Sequence, residues 1–155
     1  MSTETEIRTR IAQLVEAVAN AGNVFDYFRY INDWNKFKDE FGVTVGGSLV
    51  LRVWFVSCEA VTPQGFISGG SFGGGLQTAY TYKIRGYFGL SDEAESEKAA
   101  LVVALTVLDA LNTNSIFTGT DAYTATPAVL DPFTYATWGG ALCHYAEITQ
   151  VYYVQ

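Results

Sequence analysis

Two segments with the alternation of β-strands flank a glycine-rich run in the middle of the chain. The first segment covers residues 48–60, the second covers residues 79–88, and the run between them includes Gly65 to Leu76. Alternating side chains predict strands, whereas a run of glycine and serine does not hold a fixed backbone by itself. The pattern predicts one long antiparallel β-hairpin whose loop, at about residues 62–78, is flexible.

The first of these strands is apolar on both of its faces. The side chains on its two faces are Leu49, Leu51, Val53 and Phe55 on one, and Val50, Trp54, Val56 and Cys58 on the other. A strand with two apolar faces is covered on both sides in a folded protein. We therefore expect a helix against one face and a neighbouring subunit against the other.

The spacing of apolar residues and the positions of turn residues predict the remaining elements. These are a helix over 3–21, a strand over 24–34 with a polar turn over 35–40, a helix capped by Ser91 or Asp92 that continues through Leu111, a strand region over 122–136 and a final strand over 141–154. No repeated βαβ unit requires a parallel sheet. We predict a single α+β domain over residues 1–155, with a mainly antiparallel sheet, two packed helices and the long flexible hairpin.

Composition and charge exclude several classes of protein. The 155 residues are 49% hydrophobic and 15% aromatic, which is enough apolar material for a buried core. The formal net charge of -7 repels phosphate backbones and argues against a tightly bound nucleic acid. The amino terminus lacks a basic region followed by an apolar run, and the longest apolar stretch, residues 99–105, is too short to span a bilayer. We expect a soluble protein made in the cytoplasm, without a membrane partner.

The residues that carry chemistry in enzymes are sparse here. His144 is the single histidine and lies in an alternating strand without a paired aspartate or cysteine motif, so we predict a structural role for it. Cys58 and Cys143 match no zinc spacing and are expected to be buried free thiols. The glycine-rich run contains no lysine and precedes a strand, unlike a phosphate-binding P-loop. We expect no enzymatic activity, no metal and no cofactor.

Aromatic and β-branched side chains are more numerous on the strand faces than one small sheet and two helices can cover. Oligomerisation is the simplest explanation of such a surplus. Large apolar side chains within the glycine-rich run are natural anchors for a neighbouring molecule once the loop becomes ordered. We therefore predict that Phe66, Ile67, Phe72 and Leu76 form an interface.

Two stretches of the chain resemble a family of phage assembly proteins. Residues 82–97, with the sequence YKIRGYFGLSDEAESE, are similar to a strand-to-helix junction of tail terminator and tail-completion proteins of tailed bacteriophages, of the minor tail protein U type. Residues 30–34 and 37–41, which precede the strand that carries Trp54, resemble the aromatic strand and turn of that group. The order of helix, long hairpin, helix and closing strand is also similar.

The resemblance implies a structural role in the tail or neck of a virion. Such a protein is assembled in the host cytoplasm as a homo-oligomeric ring, commonly a hexamer, that caps the tail tube, stops its polymerisation and binds the head-side connector. DNA only passes through the lumen, and an acidic chain suits that role because it offers no counterion release to a phosphate backbone. Two alternatives stay open: another neck, head-completion or tail-tube-like subunit, or a cytoplasmic small-molecule-binding α+β domain with an aromatic pocket.

Overall fold

The computed structural model describes residues 3–29, 34–45, 47–66, 76–90, 95–117 and 121–154. The elements in these ranges are α1 (Thr3–Glu16), β1 (Asn23–Phe25), α2 (Trp34–Phe41), β2 (Gly42–Val45), β3 (Ser48–Phe66), β4 (Leu76–Gly89), α3 (Ser96–Thr113), β5 (Ile116–Phe117), β6 (Ala122–Tyr123), β7 (Val129–Leu130), β8 (Thr134–Trp138) and β9 (Ala141–Val154). Helices and one large sheet together give an α+β fold, as predicted. The described part of the chain contains three helices where two were predicted.

Three long antiparallel strands, β3, β4 and β9, form the centre of the sheet. Beyond β9, the short strands β6, β7 and β8 pair in turn along its outer edge. Pro127 and Pro132 lie between these strands, and proline cannot donate a ladder hydrogen bond. On the other side, β2 and β1 pair with β3, and β1 runs parallel to it. The sheet is therefore mixed, and the prediction of a mainly antiparallel sheet is wrong.

One face of the sheet, which we call the α1/α3 face, is covered by those two helices. Ile7, Ile11 and Val15 of α1 follow each other at intervals of four residues and have no exposed surface. They pack with α3 against side chains such as Trp54 and Ile148 of the sheet. Burying one such side chain contributes roughly 1.5–3 kcal/mol, and most of the buried hydrophobic residues of the described chain lie in this layer.

The opposite face, which we call the α2 face, is covered at one end by α2. Phe37 and Phe41 are one helical turn apart and both contact Trp138, with ring centroids 4.6 and 4.5 Å away. Phe55 and Tyr87 complete this aromatic cluster. The predicted polar turn over 35–40 is thus wrong, because the burial of two phenylalanines favours a helix there. Of the predicted strand over 24–34, only residues 24 and 25 are strand, as part of β1, and residues 30–33 lie outside the described residues.

Both long helices are shorter than predicted. α1 ends at Glu16 instead of residue 21, although Val18 still packs in the core. α3 begins at Ser96, after Glu95, which has a positive φ of 48° and forms no side-chain cap. The predicted caps, Ser91 and Asp92, lie outside the described residues.

The hairpin is longer than the sequence indicated. Pairing between β3 and β4 continues from Arg52 and Phe88 to Phe66 and Leu76, so residues 62–66 and 76–78 of the predicted loop are strand, while residues 67–75 lie outside the described residues. The ladder shifts register twice, between Cys58 and Ala60 and between the two residues that flank Gln64. The predicted distribution of residues 49–58 over two faces is confirmed, since Val53 and Phe55 lie in the aromatic cluster while Trp54 and Val56 lie under the helices.

Two glycines permit close approaches in these layers. A Cβ on Gly86 would lie 2.9 Å from three atoms of the Trp54 indole ring, so the ring occupies the space of a side chain. Gly139, in the turn between β8 and β9, has a φ of +56°, and a Cβ there would lie 2.3 Å from the Phe37 ring. Glycine at this turn satisfies both the left-handed backbone and the packing of α2.

Candidate functional site

The predicted interface residues lie at one end of the hairpin. Phe66 and Leu76 are the last described residues of β3 and β4 and face each other in the ladder, while nothing is described of their side chains. Ile67 and Phe72 lie outside the described residues. The ladder therefore shows where Phe66 and Leu76 lie in the fold, and the predicted interface stays a prediction.

The base of this hairpin end is fixed to the rest of the sheet. β9 ends opposite Thr78, so only the last two pairs of the hairpin extend past it. Gln77, in the first of these pairs, is buried and donates a hydrogen bond from Nε2 to the hydroxyl of Tyr123. The hairpin thus presents its end from a rigid support rather than from a free ribbon.

The outer edge of β3 is open beside this end. β1 pairs with β3 only as far as Phe55, and no described strand pairs with that edge over residues 56–66. An open edge presents unpaired N–H and C=O groups that a strand from another molecule can use. Val61 on this edge is 54% exposed. Pro63 and the two register shifts limit the length of strand that can bind.

A cluster of paired charges lies on the α2 face beside the aromatic cluster. Glu147 on β9 is at its centre, 2.6 Å from Lys83 Nζ and 2.8 Å from Arg85 Nε, and it accepts a 2.6 Å hydrogen bond from the Tyr145 hydroxyl. Arg85 also contacts Glu59 at 2.9 Å. Together with Asp131, 3.4 Å from Lys83, the cluster contains three carboxylates and two cations.

These contacts fix the charge of the cluster. Burial by itself raises the pKa of Glu147, but the hydrogen bonds it accepts outweigh that effect and lower its pKa to about 2. The hydrogen bond from Arg85 lowers the pKa of Glu59, and the hydrogen bond to Glu147 raises the pKa of Lys83. Burial opposes the charge of Arg85, yet its hydrogen bonds to the two glutamates raise its pKa. The cluster is suited to holding strands together through paired charges rather than to transferring protons at neutral pH.

A shallow apolar depression of about 260 Å³ lies at the other end of the sheet. We call it the base groove and define it by Phe37, Leu49, Leu51, Leu90, Ala141 and Leu142. Leu49 and Leu142 are 59% and 58% exposed, which is unusual for two leucines on one small surface. Gly42 helps to form the floor, because a Cβ there would lie 2.8 Å from Leu49 Cδ1.

His144 lies beneath the start of α3 and is almost completely buried. Its Nε2 is 2.8 Å from Ser96 Oγ, and its ring packs on Phe133 and Tyr135. A histidine in contact with a serine hydroxyl is one part of a hydrolytic site. Within the described residues, its Nδ1 has no hydrogen-bond partner that would orient it. The ring lies on the sheet face as predicted, and its structural role stays a prediction.

The two cysteines are free thiols. Cys143 is buried as predicted, and burial raises the pKa of its thiol to about 11. Cys58 is only half-buried, and burial again is the main cause that raises its pKa. Among the residues the structure describes, no group of three metal-ligating side chains is close enough to hold an ion. None of the helices in the described ranges is long and apolar enough to cross a membrane.

Sequence reasoning missed the charge cluster and the base groove. Lys83 and Arg85 lie two residues apart on one face of β4, and two cations in that arrangement indicate carboxylates opposite them. Leu142 was assigned to a strand without a face. Comparison with models of known protein families finds no match for this chain, and no curated protein matches it either.

Proposed function

We propose that this protein is a non-enzymatic assembly subunit that forms a homo-oligomeric ring, most simply a hexamer, at the end of a phage or phage-like tail. The ring caps the tail tube, stops its polymerisation and joins it to the head-side connector. The observation that carries the proposal is the β3–β4 hairpin, which runs the length of the sheet, extends past β9 and ends at Phe66 and Leu76 beside an open strand edge.

Such a hairpin suits assembly for a physical reason. A strand edge and an apolar hairpin end are surfaces that other copies can cover by main-chain pairing and by burial of side chains. Their support on β9 and on Gln77 lowers the entropy cost of ordering them on binding. We propose that Phe66, Ile67, Phe72 and Leu76 make these contacts.

The charge of the chain fits a ring through which DNA passes. A net charge of -7 per subunit gives a lumen that repels phosphate, so the nucleic acid moves without being bound. The alternative of another neck or tail-tube-like subunit shares every one of these features and differs in which rings it contacts. The alternative of a small-molecule-binding domain is favoured by one observation, the base groove, whose volume lies near the lower limit for ligand pockets.

Two measurements test the proposal. The mass of the purified protein distinguishes a 16.9 kDa monomer from a ring, and six copies would give about 101 kDa. Electron microscopy of particles produced with and without the protein then tests its role. We expect tails of irregular length, or tails that do not join heads, when it is missing. Normal tail lengths and normal head joining in its absence would refute the terminator role, and irregular necks on tails of normal length would favour another neck subunit.

A further inference from the structure

We infer that the base groove is the receptor for the hairpin end of a second copy, so that each subunit binds its neighbour head to tail. The inference rests on the proposed ring and specifies which two surfaces meet in it. The occupant is the segment between Phe66 and Leu76 of the next subunit.

The groove is built to receive an uncharged, apolar segment. Among the described side chains that line it, only Lys38 is charged, and the two exposed leucines lie on the strands to either side of β4, Leu49 on β3 and Leu142 on β9. Phe37, which lines the groove, packs closely on the turn at Gly139, where a Cβ would lie 2.3 Å from its ring. A preformed apolar surface of this kind gains free energy when it is covered and loses little entropy.

The hairpin segment has the matching chemistry. Residues 65–76 contain two phenylalanines, an isoleucine and a leucine, and no charged residue at all. In a chain with a net charge of -7, such a segment enters another copy without bringing a like charge and without leaving a charge unpaired. Nine residues between the ends of β3 and β4 are enough to fill a groove of this volume.

The two surfaces cannot meet within one molecule. Leu49 is at the start of β3 and Phe66 is at its end, and a strand of 19 residues is about 60 Å long. Contact between them therefore joins two copies. Because the surfaces differ, the contact is heterologous, and repeated heterologous contacts close into a ring when the rotation between subunits allows it.

One point substitution and one loop replacement disrupt the two surfaces separately. Leu142→Glu places a charge in the groove and leaves the hairpin intact, while replacing residues 67–75 by Asn-Gly removes the occupant and leaves the groove intact. Val102→Glu is the matched control, because Val102 is 63% exposed on α3 and lies outside the groove. Loss of a buried leucine contact weakens association by about tenfold to a hundredfold. We expect both lesions, but not the control, to shift the ring towards monomer at a protein concentration near the wild-type midpoint.

Mixing the two defective variants gives the decisive result. Leu142→Glu retains the hairpin end, and the loop replacement retains the groove. An equimolar mixture therefore forms a one-to-one dimer and no ring. Two copies of 16.9 kDa give about 34 kDa. Native mass spectrometry measures this, and far-ultraviolet circular dichroism checks that each variant is folded.

The outcomes separate the inference from the proposed function. Rings that persist in both variants, or defective variants that do not dimerise on mixing, overturn the head-to-tail contact while the ring proposal stands. A wild-type protein that stays at 16.9 kDa at every concentration refutes the ring and the contact together. In that case, binding of an apolar dye that Leu142→Glu abolishes would identify the groove as a ligand pocket.

Discussion

Replacing Glu147 by glutamine should make the folded protein less sensitive to acid. The carboxyl has an ordinary pKa of 4.5 and a pKa of about 2 in the fold. A carboxyl whose pKa is lowered by folding stabilises the protein at pH values above 4.5, and that stabilisation is lost as the pH falls towards 2. The difference corresponds to about 3 kcal/mol in total, of which about 2 kcal/mol is lost between pH 6 and pH 3.

Urea unfolding at several pH values measures this directly. We expect the free energy of unfolding of Glu147→Gln to be lower than that of the wild type at pH 6, and the gap to narrow by about 2 kcal/mol at pH 3. Tyr145→Phe is the matched control, because it removes one hydrogen bond to the carboxylate and keeps the carboxylate and both cations. The difference in free energy of unfolding between Tyr145→Phe and the wild type should narrow by a smaller amount between pH 6 and pH 3.

The difference in free energy of unfolding between wild type and Glu147→Gln reports on Glu147 alone, because the other carboxyls titrate in both proteins and their contributions cancel. A gap that stays constant from pH 6 to pH 3 within about 0.5 kcal/mol would refute the assignment of Glu147 as the acid-sensitive centre of the charge cluster. The paired charges would then contribute no more than exposed ion pairs usually do.

Three further changes test other parts of the fold. Gly86→Ala should lower the free energy of unfolding by about 1–3 kcal/mol, because its Cβ would meet the indole ring of Trp54. Gly89→Ala, whose Cβ would have its nearest contact at 3.4 Å, should lower the free energy of unfolding by less in the same urea titration. A thiol reagent should modify Cys58 in the folded protein and reach Cys143 only on unfolding, and equal rates would contradict the burial of Cys143. His144→Gln should preserve assembly, because we predict a structural role for the ring on its sheet face. Loss of assembly with an intact circular dichroism spectrum would contradict that role.

The sequence predicted the parts of the fold that depend on local periodicity. Alternation over residues 49–58 placed Phe55 and Trp54 on opposite faces, and the final strand after the Gly139-Gly140 turn was predicted with the bounds of β9. A period of two residues is a property of the strand itself. It therefore appears in the sequence whatever the strand packs against.

The parts that were missed depend on residues far apart in the chain. α2 has only eight residues, too few for a helix stable by itself, and it is held by the contact of Phe37 and Phe41 with Trp138, about a hundred residues later. The contact between Lys83 and Glu147 likewise requires the register of β4 on β9, which no local pattern specifies. The parallel pairing of β1 could not be predicted from three residues.

The two register shifts in β3 determine where the hairpin tolerates a change of length. Cys58 faces Tyr82 and Ala60 faces Thr81, so Glu59 is an extra residue between two consecutive pairs. Removing one residue elsewhere in a strand turns every later side chain to the opposite face. Removing Glu59 or Gln64 instead leaves each remaining pair and each face as it is. Related chains with hairpins one residue shorter or longer should therefore differ at these two positions and keep the same pairs and faces elsewhere. Loss of Glu59 would also remove one carboxylate that contacts Arg85.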